Sequence, residues 1–429
     1  MKTEDLILIS VDDHLIEPRD VFINHMPKSM KDRAPRIETK NGKDFWVFEG
    51  KVYPSIGLNA VVGRPPEEYG MEPTAYEDLR RGCWDVHARV EDMNVNGILA
   101  SMCFPTFPAF AGNVFNGTAD KKIALAAIQA YNDWHIQDWC GEYPGRFIPL
   151  IILPLWDVKL CVEEVKRMVP HNVHAVSFPD STVSLNLPSI HDACWDPLWK
   201  ICADNKVVIC THIGSGSTPP HASPDTPIDA WIGTFPMSIA VSAGDWLYAP
   251  MWKKFPDLRI ALSEGGIGWV PYFLERADFT HQHHSAWTNA DFGVEKPSDV
   301  FKRHFITCFI DDKFGVKNLA DVGIDKVTYE CDYPHSDSLW PRAPEVFMDG
   351  VAGISDEVID KISHLNAMRE FSFDPFSILG RENCTVGALR AQATHVDTRP
   401  VAGKGGAKPT EGEKRPVTSG DVNKMFASI

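Results

Sequence analysis

The 429-residue chain has no run of about 18 consecutive apolar residues, which excludes a membrane-spanning helix on sequence grounds. It also lacks any excess of positive charge. Its 42 Lys and Arg face 58 Asp and Glu, for a formal charge of −16, which argues against nucleic acid or an anionic membrane surface as a main partner. Cysteine is present, but no two cysteines form a C-x-x-C pair, so neither a zinc ribbon nor a thioredoxin-type motif occurs. Many of the ten sit in apolar runs, as in Val207-Val208-Ile209-Cys210, where buried reduced thiols are expected and a reducing cytoplasm is the compartment that fits. The stretch Met1–His14 is acidic early and only briefly apolar, so no secretory signal is expected. There is no Gly-x-Ser-x-Gly elbow, no phosphate-loop motif and no dinucleotide fingerprint after a first strand. Gly214-Ser215-Gly216 follows a strand-like run, but Pro219 and Pro220 prevent a helix from starting in the usual register. No internal repeat is visible.

What is present is an ordinary globular composition, 44% hydrophobic and 23% charged, which rules out a mostly disordered or collagen-like chain. Eight short apolar runs alternate with helical patterns: Leu6–Val11, Gly97–Cys103, Phe147–Leu153, Ala175–Phe178, Val207–Thr211, Arg259–Ser263, Phe305–Ile310 and Lys326–Cys331. Such Val-, Ile- and Leu-rich runs suit parallel strands buried on both faces. Amphipathic stretches such as Asp120–Trp139, Trp195–Asp204 and Gly268–Phe279 lie between them. This alternation predicts an α/β (β/α)8 TIM barrel over residues 1–388. Residues 19–80 break the pattern. They contain a hairpin-like stretch, Phe45 to Tyr53, followed by Pro/Gly-rich loop, and are expected to form a capping insertion after the first strand. A second irregular segment, Gly214–Asp229, follows the fifth strand, and loops of that length in a compact domain are usually functional or disordered. Residues 389–429 are rich in Gly, Pro, Lys and Thr and are expected to be a flexible tail.

Barrel enzymes place their chemistry at the C-terminal ends of the strands. Here the first run ends in Asp12-Asp13-His14, the fifth in Thr211-His212, the sixth in Ser263-Glu264-Gly265-Gly266 and the eighth in Glu330-Cys331-Asp332-Tyr333-Pro334-His335. Asp12 and His14 are two apart, so on an extended chain they face the same side. Each of these residues alone has a plainer explanation: a hydrogen-bonded histidine, a helix-capping Asp or Glu, a turn residue before Tyr-Pro. Their joint occurrence at one end of four core strands is what points to a metal-dependent active site.

Spread from Ser10 to about Gly380, the pieces Ser10-Val-Asp-Asp-His-Leu-Ile-Glu-Pro18, Asp196-Pro-Leu-Trp199, Thr211-His-Ile-Gly214, Glu264-Gly-Gly-Ile-Gly-Trp-Val-Pro271, Asp332-Tyr-Pro334 and Asn366-Ala-Met-Arg369 make the resemblance plain. The chain resembles the amidohydrolase superfamily, in the amidohydrolase-related branch that includes aminocarboxymuconate-semialdehyde and γ-resorcylate decarboxylases. The resemblance implies a divalent metal at the barrel mouth, with ligand positions falling on Asp12, His14, His212 and Asp332. The sequence departs from the branch in two ways. The first ligand is Asp, and the sixth-strand position, usually a catalytic His, is Glu264. The fourth-strand lysine that bridges two metals elsewhere in the superfamily is also missing, because that strand ends Ser177-Phe178-Pro179-Asp180.

The implied activity is hydrolysis or non-oxidative decarboxylation of a small cyclic or aromatic carboxylate, or of a related ester, lactone or amide. Asp332, Glu264 and His335 are the candidate catalytic groups. Glu264 is also a candidate metal ligand, and zinc or manganese is the expected metal. Glu264 and His335 raise the donor count to six, more than a tetrahedral zinc uses, which leaves open a two-iron centre and a monooxygenase acting on an apolar substrate. A non-catalytic barrel is the third reading. The expected partners are a small-molecule substrate and a second copy of the chain in a homodimer, with neither nucleic acid nor membrane. Trp340, His281 and Phe107 are candidate substrate-binding residues, with Phe110, Trp287 and His221 weighed beside them. Arg80 and Arg81 are candidates for a substrate carboxylate, against the plainer reading of a solvated helix start.

Overall fold

The computed structural model describes residues 1–217, 222–403, 406, 408–410 and 412–427, with side chains through 424. Its strands in chain order are β1 (Leu8–His14), β2 (Arg36–Lys40), β3 (Lys43–Phe48), β4 (Lys51–Tyr53), β5 (Ile98–Phe104), β6 (Leu150–Ile151), β7 (Ala175–Pro179), β8 (Val208–His212), β9 (Ile260–Ser263), β10 (Phe305–Phe309) and β11 (Val327–Tyr329). Eight of them pair in the order β5-β1-β11-β10-β9-β8-β7-β6, all parallel. The ring closes where Ser101 donates to Arg146 O at 3.1 Å and accepts from Ile148 N at 3.0 Å. The fold is therefore the expected (β/α)8 barrel, and each expected strand is present within a few residues of its predicted span.

Alternation sorts the strand side chains. Ile7, Ile9, Val208, Cys210, Ala261, Ile306 and Cys308 join one buried cluster inside the barrel. Leu6, Leu8, Val176, Ile209, Ile260 and Leu262 belong to a second, larger cluster shared with the helices outside. Two of the helices begin at capping aspartates: the Asp85 carboxylate accepts from His87 N and Ala88 N, and Asp157 does the same for Lys159 N and Leu160 N. Among the described residues no helix is long and apolar enough to cross a membrane.

The segment after β1 forms an antiparallel sheet β2-β3-β4. Trp46 stacks on Phe107 at 4.4 Å, so the sheet is pinned to the loop that follows β5. The insertion then reaches the end of the eighth barrel strand, where Val62 N donates to Pro334 O at 3.0 Å and Asn59 Nδ2 to Ser336 Oγ at 3.0 Å. Beyond residue 389 the chain meets the insertion and the segment that follows β8. Val401 N donates to Gly63 O, and Thr418 pairs with Pro227 in an antiparallel bridge. His221 lies outside the described residues.

Candidate metal and active site

A β-bulge aims the first pair of side chains. Ile7, Ile9 and Val11 point into the barrel, a period of two that would carry Asp13 inward next. A register shift against β5 between Ser10 and Asp13 breaks the phase. Asp12 and His14 turn into the mouth instead. Asp13 faces away from it, accepting from Ser10 Oγ at 3.1 Å, from Tyr333 N at 3.0 Å and from Ser101 Oγ. Behind it lies the fully buried Arg89, whose guanidinium donates to Gly82 O at 2.8 Å and to the His14 carbonyl.

On β8 the alternation runs on without interruption from Val208 and Cys210 to His212. The His212 Nδ1 lies 2.7 Å from Ile213 O, so this nitrogen donates and Nε2 is left facing the site. Glu264 and Asp332 both sit just past their strands in the left-handed region, at φ +59° and +53°. Few non-glycine residues adopt that conformation, and those that do cluster at functional positions. Asp332 is fixed there because its N–H donates to Asp12 O at 2.9 Å while His14 N donates to Tyr333 O at 2.6 Å.

The result is one compact cluster. The His14 Nε2 is 3.2 Å from His212 Nε2, 3.7 Å from Asp12 Oδ1 and 3.4 Å from Asp332 Oδ1. The His212 Nε2 is 3.6 Å from Asp12 Oδ2 and 3.0 Å from Glu264 Oε2. His335 stacks on His14 at 3.9 Å and brings Nδ1 to 2.8 Å from Asp332 Oδ1. Asp12, His14, His212 and Asp332 are buried, while Glu264 keeps 17% of its side chain exposed. Both carboxylate oxygens of Asp12 and of Asp332 are buried without a hydrogen-bond partner. Buried carboxylates in proteins are almost always satisfied, so four orphaned oxygens facing imidazole nitrogens fit a divalent cation.

Electrostatics agree with that fit. Burial, then the neighbouring carboxylates, pushes Asp12 and Asp332 well above the usual carboxylate range. Burial and the two neighbouring rings push His14 well below its ordinary value. Every one of these groups is driven towards neutrality by burial first and by its neighbours second, and a dication would reverse that for each. In Glu264 burial opposes ionisation, but the adjacent His212 ring outweighs it and the carboxyl ends up lowered.

Two groups complete the surroundings. Glu330 lies beneath Asp12, bonded to Cys308 Sγ at 2.6 Å and to Glu264 N at 3.0 Å, and burial pushes it up to about 7. The phenyl rings of Phe110 and Phe104 lie 4.2 Å and 5.0 Å from the His212 ring. At the fourth strand, where no lysine was expected, Ser177 Oγ donates to Phe110 O, and Asp180 accepts from Ser217 N at 2.8 Å.

Of the residues singled out from sequence, Asp12, His14, His212, Glu264, Asp332 and His335 come together, and Phe110 lies against them. Others lie elsewhere. Phe107 is buried among Phe22, Trp46, Tyr53 and Phe115. Trp340 donates to Asp92 O at 3.1 Å under the Arg80 guanidinium. His281 sits far along helix Val270–Thr288 against Phe292, and Trp287, near the end of that helix, is largely exposed. Arg80 pairs with Asp92 and Arg81 with Asp85. Phe104 and Arg89 are not among the sequence candidates, and Glu330, visible at the eighth strand end, carries no role there. Glu330 shares the in-out phase of its strand, a usable signal, but Arg89 in mid-helix gave none.

A family model described as amidohydrolase matches residues 25–373. The chain belongs to the amidohydrolase family. The family match begins after Asp12 and His14, so those two rest on the geometry alone. Among curated relatives, the 2-amino-3-carboxymuconate-6-semialdehyde decarboxylase of Dictyostelium discoideum is 21% identical over 70% of this chain and 80% of its own length. The γ-resorcylate decarboxylase of Rhizobium radiobacter is 23% identical over 71% of this chain and 93% of its own. Among solved structures, the dihydroxybenzoic acid decarboxylase of Polaromonas sp. JS666, with bound manganese and the inhibitor 2-nitroresorcinol, shares the fold at a TM-score of 0.57, with 20% identity over 86% of this chain and 97% of that one. The protein is thus an amidohydrolase-family enzyme.

Proposed function

We propose that the protein catalyses the metal-dependent, non-oxidative decarboxylation of a small aromatic carboxylate. The observation that carries this reading is the convergence of Asp12, His14, His212 and Asp332, with four orphaned carboxylate oxygens, at the mouth of the barrel. The decarboxylases among its relatives and the phenyl rings of Phe104 and Phe110 beside the cluster support an aromatic substrate. The set of two imidazoles and two carboxylates, without sulfur, suits manganese or zinc.

A divalent ion would be held by Asp12, His14, His212 and Asp332 and would supply positive charge that stabilises the substrate's oxygens. The remaining work belongs to the chain. Phe104 and Phe110 face the substrate ring and exclude water. Glu264 and His335, at the open side of the cluster, carry the proton that the ring carbon takes up as its bond to the carboxylate breaks. The carboxylate leaves as carbon dioxide, and the pair of electrons it leaves behind binds that proton. The His335 ring is held by its stacking on His14 at 3.9 Å, with Nδ1 2.8 Å from Asp332 Oδ1.

Manganese-loaded protein incubated with hydroxybenzoates should release carbon dioxide, and chelation should stop it. Hydrolysis of an ester or lactone with no decarboxylation of any hydroxybenzoate would redirect the assignment within the same site.

A further inference from the structure

The insertion after β1 holds one more carboxylate, Glu72, beside the segment that carries His335. Glu72 is half-buried, and its carboxylate lies within electrostatic reach of the His335 ring. Its placement is built on both sides. In front, Asn59 N donates to Glu72 Oε2 at 2.9 Å while Asn59 Nδ2 donates to Ser336 Oγ at 3.0 Å, so one asparagine ties the glutamate to the segment that carries His335. Behind, Gly406 of the C-terminal extension packs against its backbone. Gly406 has φ +72°, and an added Cβ would come within 2.6 Å of the Glu72 carbonyl oxygen. Burial raises the Glu72 carboxyl, and the His335 ring and Arg64 pull it back.

Other acids share this side. Asp337 is exposed and acts on both Glu264 and His335, and Glu264 is the cluster residue that keeps contact with solvent. The nearby guanidinium groups are committed elsewhere. Arg64 donates to Met71 O and Asp78 O, at 2.7 and 2.8 Å. Arg80 is paired with Asp92, and Arg89 donates to Gly82 O and the His14 carbonyl. Recognition of a carboxylate distant from the metal would need such a fork. None of these three is free to turn to this side.

We propose that Glu72 is a specificity-determining residue: with Asp337 it makes the side of the site beyond His335 select substrates that carry no second anionic group, so the substrate is a monocarboxylate whose far end is neutral or cationic. This rests on the carboxylate-binding reading above and narrows its substrate class. Glu72 touches no reacting atom. It acts through charge on the part of the substrate that does not react.

The test uses manganese-loaded full-length protein and three 2-hydroxybenzoates that differ only at the 4-position: methyl, aminomethyl and carboxylate. Binding is read from displacement of manganese-bound water by proton relaxation, independently of turnover. The wild type is expected to bind the carboxylate probe at least about tenfold more weakly than the methyl probe, and the aminomethyl probe at least as tightly as the methyl one. Glu72→Gln keeps an acceptor for Asn59 N and should narrow the carboxylate-to-methyl ratio severalfold without changing methyl binding or Tm. A carboxylate probe that binds as well as the methyl probe, or a ratio untouched by Glu72→Gln, overturns the proposal. A centre that discriminates among the probes but decarboxylates none sinks only the proposed activity. A manganese centre that binds no monocarboxylate sinks both.

Discussion

The Nε2 atoms of His14 and His212 lie 3.2 Å apart in a pocket that also holds the unpartnered oxygens of Asp12 and Asp332. Without an ion one ring can donate its Nε2–H to the other; a divalent cation would take the place of that proton and draw both nitrogens and the four carboxylate oxygens to itself. The purified protein is therefore expected to carry one divalent ion per chain by elemental analysis. His212→Ala should weaken metal affinity by more than about a hundredfold, because it removes a proposed direct ligand where even outer partners are worth ten- to a hundredfold. Two irons per chain together with substrate-dependent oxygen consumption would instead favour the oxygenase reading.

Asp332 combines a left-handed backbone, full burial and a 2.8 Å contact to His335. Asp332→Asn preserves the shape and removes the charge. Turnover should fall about a thousandfold or more, while the circular dichroism spectrum and Tm of the metal-free protein stay near wild type or rise, since a buried carboxylate without its cation is a cost to folding. Full activity in this variant would refute the role given to Asp332.

The barrel was readable because buried parallel strands write themselves as short Val/Ile/Leu runs, and the site because polar residues ended four of them. Other features depend on contacts that no local pattern encodes. The bulge between Ser10 and Asp13 decides which of three successive polar residues faces the metal, and it arises from pairing with β5. Phe107 and Phe110 are three residues apart in one loop, yet one is locked under Trp46 and the other lies on His212. Only tertiary packing separates them. The strand β2 was legible and overlooked: Asn41-Gly42, at φ +53° and +75°, is the turn that favours a tight hairpin.

Arg89 supports the site from below. Its charge balances Asp13, and its guanidinium holds the carbonyl of His14. Arg89→Met leaves a buried carboxylate without its cation, at a cost of about 3 kcal/mol. Urea unfolding should show that loss. The variant should also bind manganese more weakly, because the backbone of a ligand has lost its anchor. A stability loss with unchanged metal affinity would show that Arg89 serves the fold alone.

His304 sets an acid limit on stability away from the metal. Its Nδ1 donates to Leu258 O at 2.7 Å and its Nε2 accepts from Arg303 Nε at 3.1 Å, so the neutral ring is fully satisfied. Protonation would place a proton on the nitrogen that faces a guanidinium. Burial, with Arg303 adding to it, pushes the ring down to about 4. Because the folded value lies below the ordinary one of about 6.5, the unfolded chain binds the extra proton first, and stability falls as pH drops from about 6.5 towards 4. Between pH 7 and pH 5 this one residue costs about 2 kcal/mol. His135, pushed down to about 3, and His364, to about 4, act in the same direction. His304→Gln should start less stable at pH 7, yet lose about 2 kcal/mol less than wild type on going to pH 5, since the comparison cancels every other titrating group. Equal losses in the two proteins would mean that His304 is not held neutral by the fold.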